Sequence, residues 1–214
     1  LKLTRDLGAK YLRIFGAWSG VTFRDGVATY DIARQSIPAR NMDSTKLERW
    51  GWVRECIKEC ARYAEEQGVY LALQNHEPVI HGHEYMLEMV NEVDSPWVKC
   101  CLDAPCEQSQ GENHLRDAVR RTGDLQVLSH YNGEWVRDGE GRPELIKYPF
   151  LGVRQVNYPA FVDELKKSGY EGYIAFEFCH PALKEHTLQG IDYVHEQTQM
   201  AYEYMRALID APLM

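Results

Sequence analysis

Residues 45–77 read TKLERWGWVRECIKECARYAEEQGVYLALQNHE. The stretch opens with Thr45-Lys-Leu-Glu48, the form of a capping box, in which the Thr oxygen and the Glu side chain serve each other's backbone donors. Apolar positions then recur at Leu47, Trp50, Val53, Ile57, Cys60, Ala61 and Ala64, the three-and-four spacing of one helical face. Gly68 supplies a left-handed stop. Directly after it, residues 69–74 form a continuous apolar run, the pattern of a strand covered on both faces. Helix, glycine, buried strand: this is one αβ unit of a parallel sheet.

The same unit recurs outward in both directions. Residues 11–15, 98–103, 126–130 and 173–178 are further short apolar runs. Helical patterns lie near 83–93, 114–122, 159–168 and 190–209, and residues 1–10 read as the tail of a helix. Strands alternating with helices through right-handed crossovers give either an open doubly wound sheet or a barrel. No GxGxxG follows a strand and no GxxxxGK[ST] occurs, which removes the sequence evidence for a nucleotide-binding open sheet. Residues 132–157, with RDGEGRP at their centre, predict a long lid-like loop.

Composition narrows the function. The 214 residues are 44% apolar and 11% aromatic, enough for one sizeable core. A formal charge of −8 argues against a nucleic-acid groove, which needs clustered Lys and Arg. No apolar run approaches the ~20 residues that cross a bilayer. The six cysteines (56, 60, 100, 101, 106 and 179) contain no CxxC pair, so reduced, buried thiols in a cytoplasmic setting are expected.

Polar residues gather where the strands end. The run at 69–74 closes on Gln74-Asn75-His76-Glu77, the next on Asp103, then His130 and Glu177. A polar residue ending a strand is ordinarily a turn former or cap. Four in succession fit another pattern, since the C-terminal ends of barrel strands converge on one mouth. Oxygen donors with a single imidazole suit Mn²⁺ or Mg²⁺, and after them Co²⁺ or Zn²⁺. His81 and His83 bracket Gly82 at a helix start and resemble a metal pair only superficially.

These segments carry a resemblance. LGAKYLRIFG (7–16), GVYLALQNH (68–76), VKCCLDAP (98–105) and VLSHYNGEW (127–135) resemble the fourth to seventh strands of the xylose-isomerase-like TIM-barrel superfamily. FVDELKKSGYEGYIAFEF (161–178) is similar to its helix leading into strand eight. The resemblance implies a (β/α)8 barrel of which strands four to eight are visible, in one domain over 1–214. Strands one to three are expected to be absent, and residues 1–214 alone to behave as an incomplete barrel. It also implies an oligomer, of identical chains or with a second subunit.

For the site, the resemblance implies one divalent cation held by Gln74, Asp103, His130 and Glu177. Gln74 stands where the family has a Glu, so it ligates weakly and cannot act as a base. Cys106 stands where related epimerases often place a substrate-binding His. Glu177 is then one catalytic group, and His76, two residues after Gln74 and on the same face of an extended chain, is the expected second base. Trp18 is expected as a wall under a sugar ring and Arg154 as a substrate contact at the mouth. Tyr131 and Trp135 are expected to line the mouth or pack beneath the lid.

The implied chemistry is sugar isomerisation or epimerisation through a metal-stabilised enediolate. Two alternatives stand beside it. One is a lyase or deglycosidase acting on a 3-keto-glycoside with His76 as base. The other is a non-catalytic barrel subunit whose metal site has decayed. The superfamily's DNA-repair branch fits poorly, for want of a basic groove and further zinc ligands.

Overall fold

The computed structural model describes residues 1–17, 21–24, 27–30, 45–147, 156–178 and 189–213. The chain divides into two compact units, Leu1–Cys100 and Cys101–Met214.

In the first unit, helix α1 (Lys2–Asp6) leads into strand β1 (Tyr11–Ile14), and β2 (Val21–Arg24) pairs antiparallel with β3 (Val27–Tyr30). Helix α2 (Lys46–Gln67) is followed by β4 (Tyr70–Gln74) and α3 (Gly82–Val93). The expected capping box is formed: Glu48 N–H donates to Thr45 Oγ1 at 3.1 Å, and Thr45 N–H donates to Glu48 Oε2 at 2.7 Å. Gly68 closes the helix at φ 64°, a left-handed conformation that costs glycine little. Of the expected helical face, Ile57, Ala61 and Ala64 are buried while Leu47 is exposed. Leu47 sits in the first turn, before the helix reaches the core.

Strand β1 lies parallel to β4 with Tyr11 opposite Tyr70 and Ile14 opposite Leu73. Leu71, Ala72 and Leu73 are fully buried, the burial on both faces that their continuous apolar run requires. Leu71 N–H donates to Trp97 O at 2.8 Å, tying β4 to the start of strand β5 (Val98–Cys101). Tyr70 stacks on Trp97 at 4.8 Å between ring centroids. Met86, Met89, Val90 and Val93 of α3 complete this core.

The second unit begins inside β5. A 3₁₀ turn (Ala104–Cys106), helix α4 (Glu112–Thr122) and strand β6 (Gln126–Tyr131) follow. Then come β7 (Glu134–Arg137), β8 (Pro143–Lys147), α5 (Tyr158–Lys167), β9 (Tyr173–Phe176) and α6 (Ile191–Asp210). Strand β6 lies parallel to β9, with His130 opposite Ala175 and Tyr131 opposite Phe176. Helices α4 and α5 are joined by Arg116, whose Nη1 lies 2.5 Å from Asp163 and 3.2 Å from Glu164.

Part of the segment expected as a lid is a hairpin docked on α6. Strands β7 and β8 pair antiparallel around RDGEGRP, and Asp138 accepts hydrogen bonds from the N–H groups of Glu140 and Arg142. Trp135 is fully buried. Its N–H donates to Gln197 Oε1 at 2.9 Å, and its carbonyl accepts from Gln197 Nε2 at 3.0 Å. The side-chain amide stands in for a neighbouring strand. Tyr131 and Trp135 therefore belong to an aromatic core with Tyr158, Phe176 and Tyr204. Residues 148–155 lie outside the described residues. Among the described residues, no helix is long and apolar enough to cross a membrane.

Candidate functional site

In the second unit the site is built where β5 runs out. Asp103 keeps an extended backbone (φ −109°, ψ 119°), so its side chain falls on the same face as that of Cys101, two residues earlier. Beside it, Ser129 Oγ donates to the Leu102 carbonyl at 2.7 Å, and the His130 backbone N–H donates to Asp103 Oδ1 at 2.6 Å. These bonds fix the carboxylate against the end of β6. Its other oxygen, Oδ2, lies 3.6 Å from His130 Nδ1. That separation is too long for a hydrogen bond. It matches the spacing of two donors on one tetrahedral cation, about 3.3–3.6 Å for metal–ligand distances of 2.0–2.2 Å.

Asp103 is 2% exposed, and a carboxylate taken out of water needs a positive or hydrogen-bonding partner. The His130 N–H and the Cys101 thiol donate to Oδ1 while an imidazole faces Oδ2, an arrangement that can receive a cation between the Asp103 and His130 side chains. The Cys101 sulfur lies 3.5 Å from Asp103 Oδ1, and donor atoms of Cys101, Asp103 and His130 all fall within 4.8 Å of one another. Glu177 follows the next strand, its N–H donating to the Tyr131 carbonyl at 2.9 Å, one step beyond the β6–β9 register.

The surroundings are buried. Burial pushes the Tyr158 phenol well above its ordinary range, and the charge of Asp103 pushes it the same way. The phenol donates to the Asn132 carbonyl at 2.7 Å and accepts the Asn132 N–H at 3.0 Å. Cys100 is fully buried, and desolvation pushes its thiol up to about 12. Cys106 ends the 3₁₀ turn, its N–H donating to the Asp103 carbonyl at 3.1 Å. Just beyond, His114 Nε2 lies 2.7 Å from Oε2 of the buried Glu107.

In the first unit, Gln74 and His76 stand at the end of β4. Gln74 is buried, and Arg13 Nη1 donates to its Oε1 at 3.0 Å. The Arg13 guanidinium also lies 5.8 Å above the Phe15 ring, and Phe15 is 5.6 Å from the His76 ring. His76 is half-buried, with Nδ1 against the Glu77 carbonyl. A carbonyl only accepts, so in the neutral ring Nδ1 carries the proton and Nε2 the basic lone pair. His81 and His83 lie at the start of α3.

The structure thus brings Asp103 and His130 together in one unit, and sets Gln74 beside Arg13 in the other. Trp18 and Arg154 lie outside the described residues. Sequence reasoning missed Arg13 and Cys101. A lone Arg in YLRIF and the two-residue spacing in CLD were the available signals.

Known proteins agree with this architecture. The solved L-ribulose 3-epimerase superposes with a TM-score of 0.61 at 17% identity, over 97% of this chain and 64% of that one. The apo 3-keto-D-glucoside 4-epimerase from E. coli gives 0.62 at 16% identity, over 96% and 67%. The D-allulose 3-epimerase from Methylomonas sp. in complex with D-allulose gives 0.59 at 19%, over 95% and 64%. The chain therefore spans about two thirds of the length of these enzymes, and at such identities the likeness is one of fold. No curated protein matches the sequence. The family model described as xylose isomerase-like TIM barrel matches residues 1–203, and on that match the chain belongs to the xylose isomerase-like TIM-barrel family.

Proposed function

We propose that this chain carries the metal-binding and proton-transfer residues of a sugar isomerase or epimerase that removes a proton next to a carbonyl. The observation that carries the reading is the Asp103–His130 pair, with Oδ2 and Nδ1 facing at 3.6 Å. These two residues would hold one divalent cation, joined by Glu177 and more weakly by Gln74 on the strength of the family resemblance. The cation, when bound, supplies positive charge that stabilises negative charge developing on substrate oxygens.

The chain's own residues account for the rest. Asp103 is kept in place by the His130 N–H, so the carboxylate need not reorganise during turnover. Glu177 takes or returns a proton on one side of the substrate. His76 moves the second proton through Nε2, since the Glu77 carbonyl holds the other nitrogen in its protonated form. Substrates of the related structures named above, ribulose, a keto-glucoside and allulose, are all polyhydroxylated carbonyl compounds, and this chain is assigned the same substrate class.

The test has two parts. Elemental analysis of the protein after chelation, reloading and dialysis should give one cation per chain, lost in Asp103→Ala and in Glu177→Ala. Incubation with ketoses in D₂O should place deuterium on the carbon next to the carbonyl. A wild-type protein that turns over substrate without bound metal sinks this reading.

A second reading is elimination from a 3-keto-glycoside. It is favoured by Gln74, which leaves His76 as the base on that strand. Release of an aglycone from 3-keto-glucosides, without epimerised product, would select it.

A further inference from the structure

The geometry points to Cys101 as a thiolate ligand of the metal held by Asp103 and His130, giving a sulfur–oxygen–nitrogen site that prefers Zn²⁺ or Co²⁺ over Mn²⁺ or Mg²⁺. The inference rests on the metal reading above and changes the cation that reading leads one to expect. The carboxylates and imidazole at the strand ends favour hard cations when considered alone. A thiolate among the donors shifts the site toward softer ones.

Three observations carry it. Cys101 and Asp103 are two residues apart on an extended strand end, so both side chains face the same way as a matter of backbone geometry. Cys101 is fully buried, and its sulfur lies 3.5 Å from Asp103 Oδ1. Sulfur, carboxylate and imidazole donors lie within 4.8 Å of one another. A tetrahedral cation with a metal–sulfur distance of ~2.3 Å and metal–nitrogen or metal–oxygen distances of ~2.0–2.1 Å sets its donors about 3.3–3.6 Å apart. The Cys101 Sγ–Oδ1 distance of 3.5 Å and the His130 Nδ1–Oδ2 distance of 3.6 Å fall near that range on the two oxygens of one carboxylate, so Asp103 turns slightly for a single cation to meet both neighbours.

Asp103 and His130 bring one negative charge to a divalent cation, and a thiolate brings a second. Cys100, next in sequence, falls on the opposite face of the strand and is the natural control.

Cobalt separates this inference from the metal reading on which it rests. Metal-free full-length protein is titrated with Co²⁺ alone and followed by absorption. A bound thiolate gives a near-ultraviolet sulfur-to-cobalt charge-transfer band, in addition to the visible bands that any tetrahedral Co²⁺ shows. Wild type and Cys100→Ser should both show the band. Cys101→Ser should lose it, and should weaken Co²⁺ and Zn²⁺ binding at least ~10–100-fold, the range seen for loss of even outer-shell partners. Mn²⁺ should fail to displace Zn²⁺ from wild type. One bound Co²⁺ with visible bands but no charge-transfer band in wild type overturns the role of Cys101 and leaves the metal site standing. Absence of any bound Co²⁺ or Zn²⁺ overturns both. The wild-type spectrum decides the matter even if Cys101→Ser fails to fold.

Discussion

Arg13 and Gln74, on neighbouring parallel strands, form a part-buried hydrogen bond in which the guanidinium donates to the amide oxygen at 3.0 Å. Position 74 is where the family resemblance implies a glutamate, so the obvious reversion is Gln74→Glu. The new carboxylate would stand within hydrogen-bonding reach of Arg13. With Arg13 present, the change should alter stability by no more than ~1 kcal/mol, because the charge arrives with a partner. In an Arg13→Met background the same change should cost ~3–5 kcal/mol, the penalty of an uncompensated buried charge. The sign with pH follows. A guanidinium partner depresses the folded carboxylate below its ordinary value of ~4.3. Its contribution is then present above that value and lost as pH falls through the folded one. Denaturant melts of the four proteins at pH 7 and at pH 3 test both statements, and equal costs in the two backgrounds would refute them.

Asp103 performs two separable jobs, accepting the His130 N–H and facing His130 Nδ1. Asp103→Asn keeps an acceptor of the same shape while removing the charge. It should abolish cation binding and leave the thermal midpoint of the metal-free protein nearly unchanged. Asp103→Ala also strands the N–H and should cost a further ~1–3 kcal/mol. If both variants melt alike, the backbone bond contributes nothing measurable.

The β7–β8 hairpin is held to α6 through Gln197, which bonds both the N–H and the carbonyl of Trp135. Gln197→Ala leaves two buried backbone groups without this partner, and about 2–4 kcal/mol should be lost. Trp135→Ala should cost ~3–5 kcal/mol by emptying a large buried volume. Equilibrium unfolding with the slope monitored checks both. A Gln197→Ala protein as stable as wild type would mean that the hairpin does not depend on α6.

What the sequence reveals follows from how local each determinant is. The five parallel strands are legible because burial on both faces makes them continuous apolar runs, as in YLALQ. The start and stop of α2 are legible because Thr45, Glu48 and Gly68 act within one turn of the helix ends. The β2–β3 pairing has a local signal as well, since Asp25-Gly26 stands between its strands in sequence, a dipeptide that favours a tight hairpin. Docking of Trp135 on Gln197 was not legible, since it joins residues 62 apart in sequence. At the site, Asp103 and His130 stood out as polar residues ending apolar runs. Arg13 and Cys101 did not, because one resembles a stray surface charge and the other a core thiol until the neighbouring strand is known.

His76 is the expected second base. Its Nδ1 faces the Glu77 carbonyl, so the neutral ring carries its basic lone pair on Nε2, in the state required of a proton acceptor. Removal of a positioned general base typically costs ~10²–10⁴ in rate, so His76→Ala should lose kcat by that factor. The variant should keep its cation, because His76 is not among the proposed ligands. His76→Gln offers no comparable base and should be equally slow. Solvent deuterium exchange into substrate reads the proton step directly, separate from product release. If His76→Ala exchanges deuterium at the wild-type rate, the ring is structural, held by Phe15 and the Glu77 carbonyl, and the proton is moved from elsewhere.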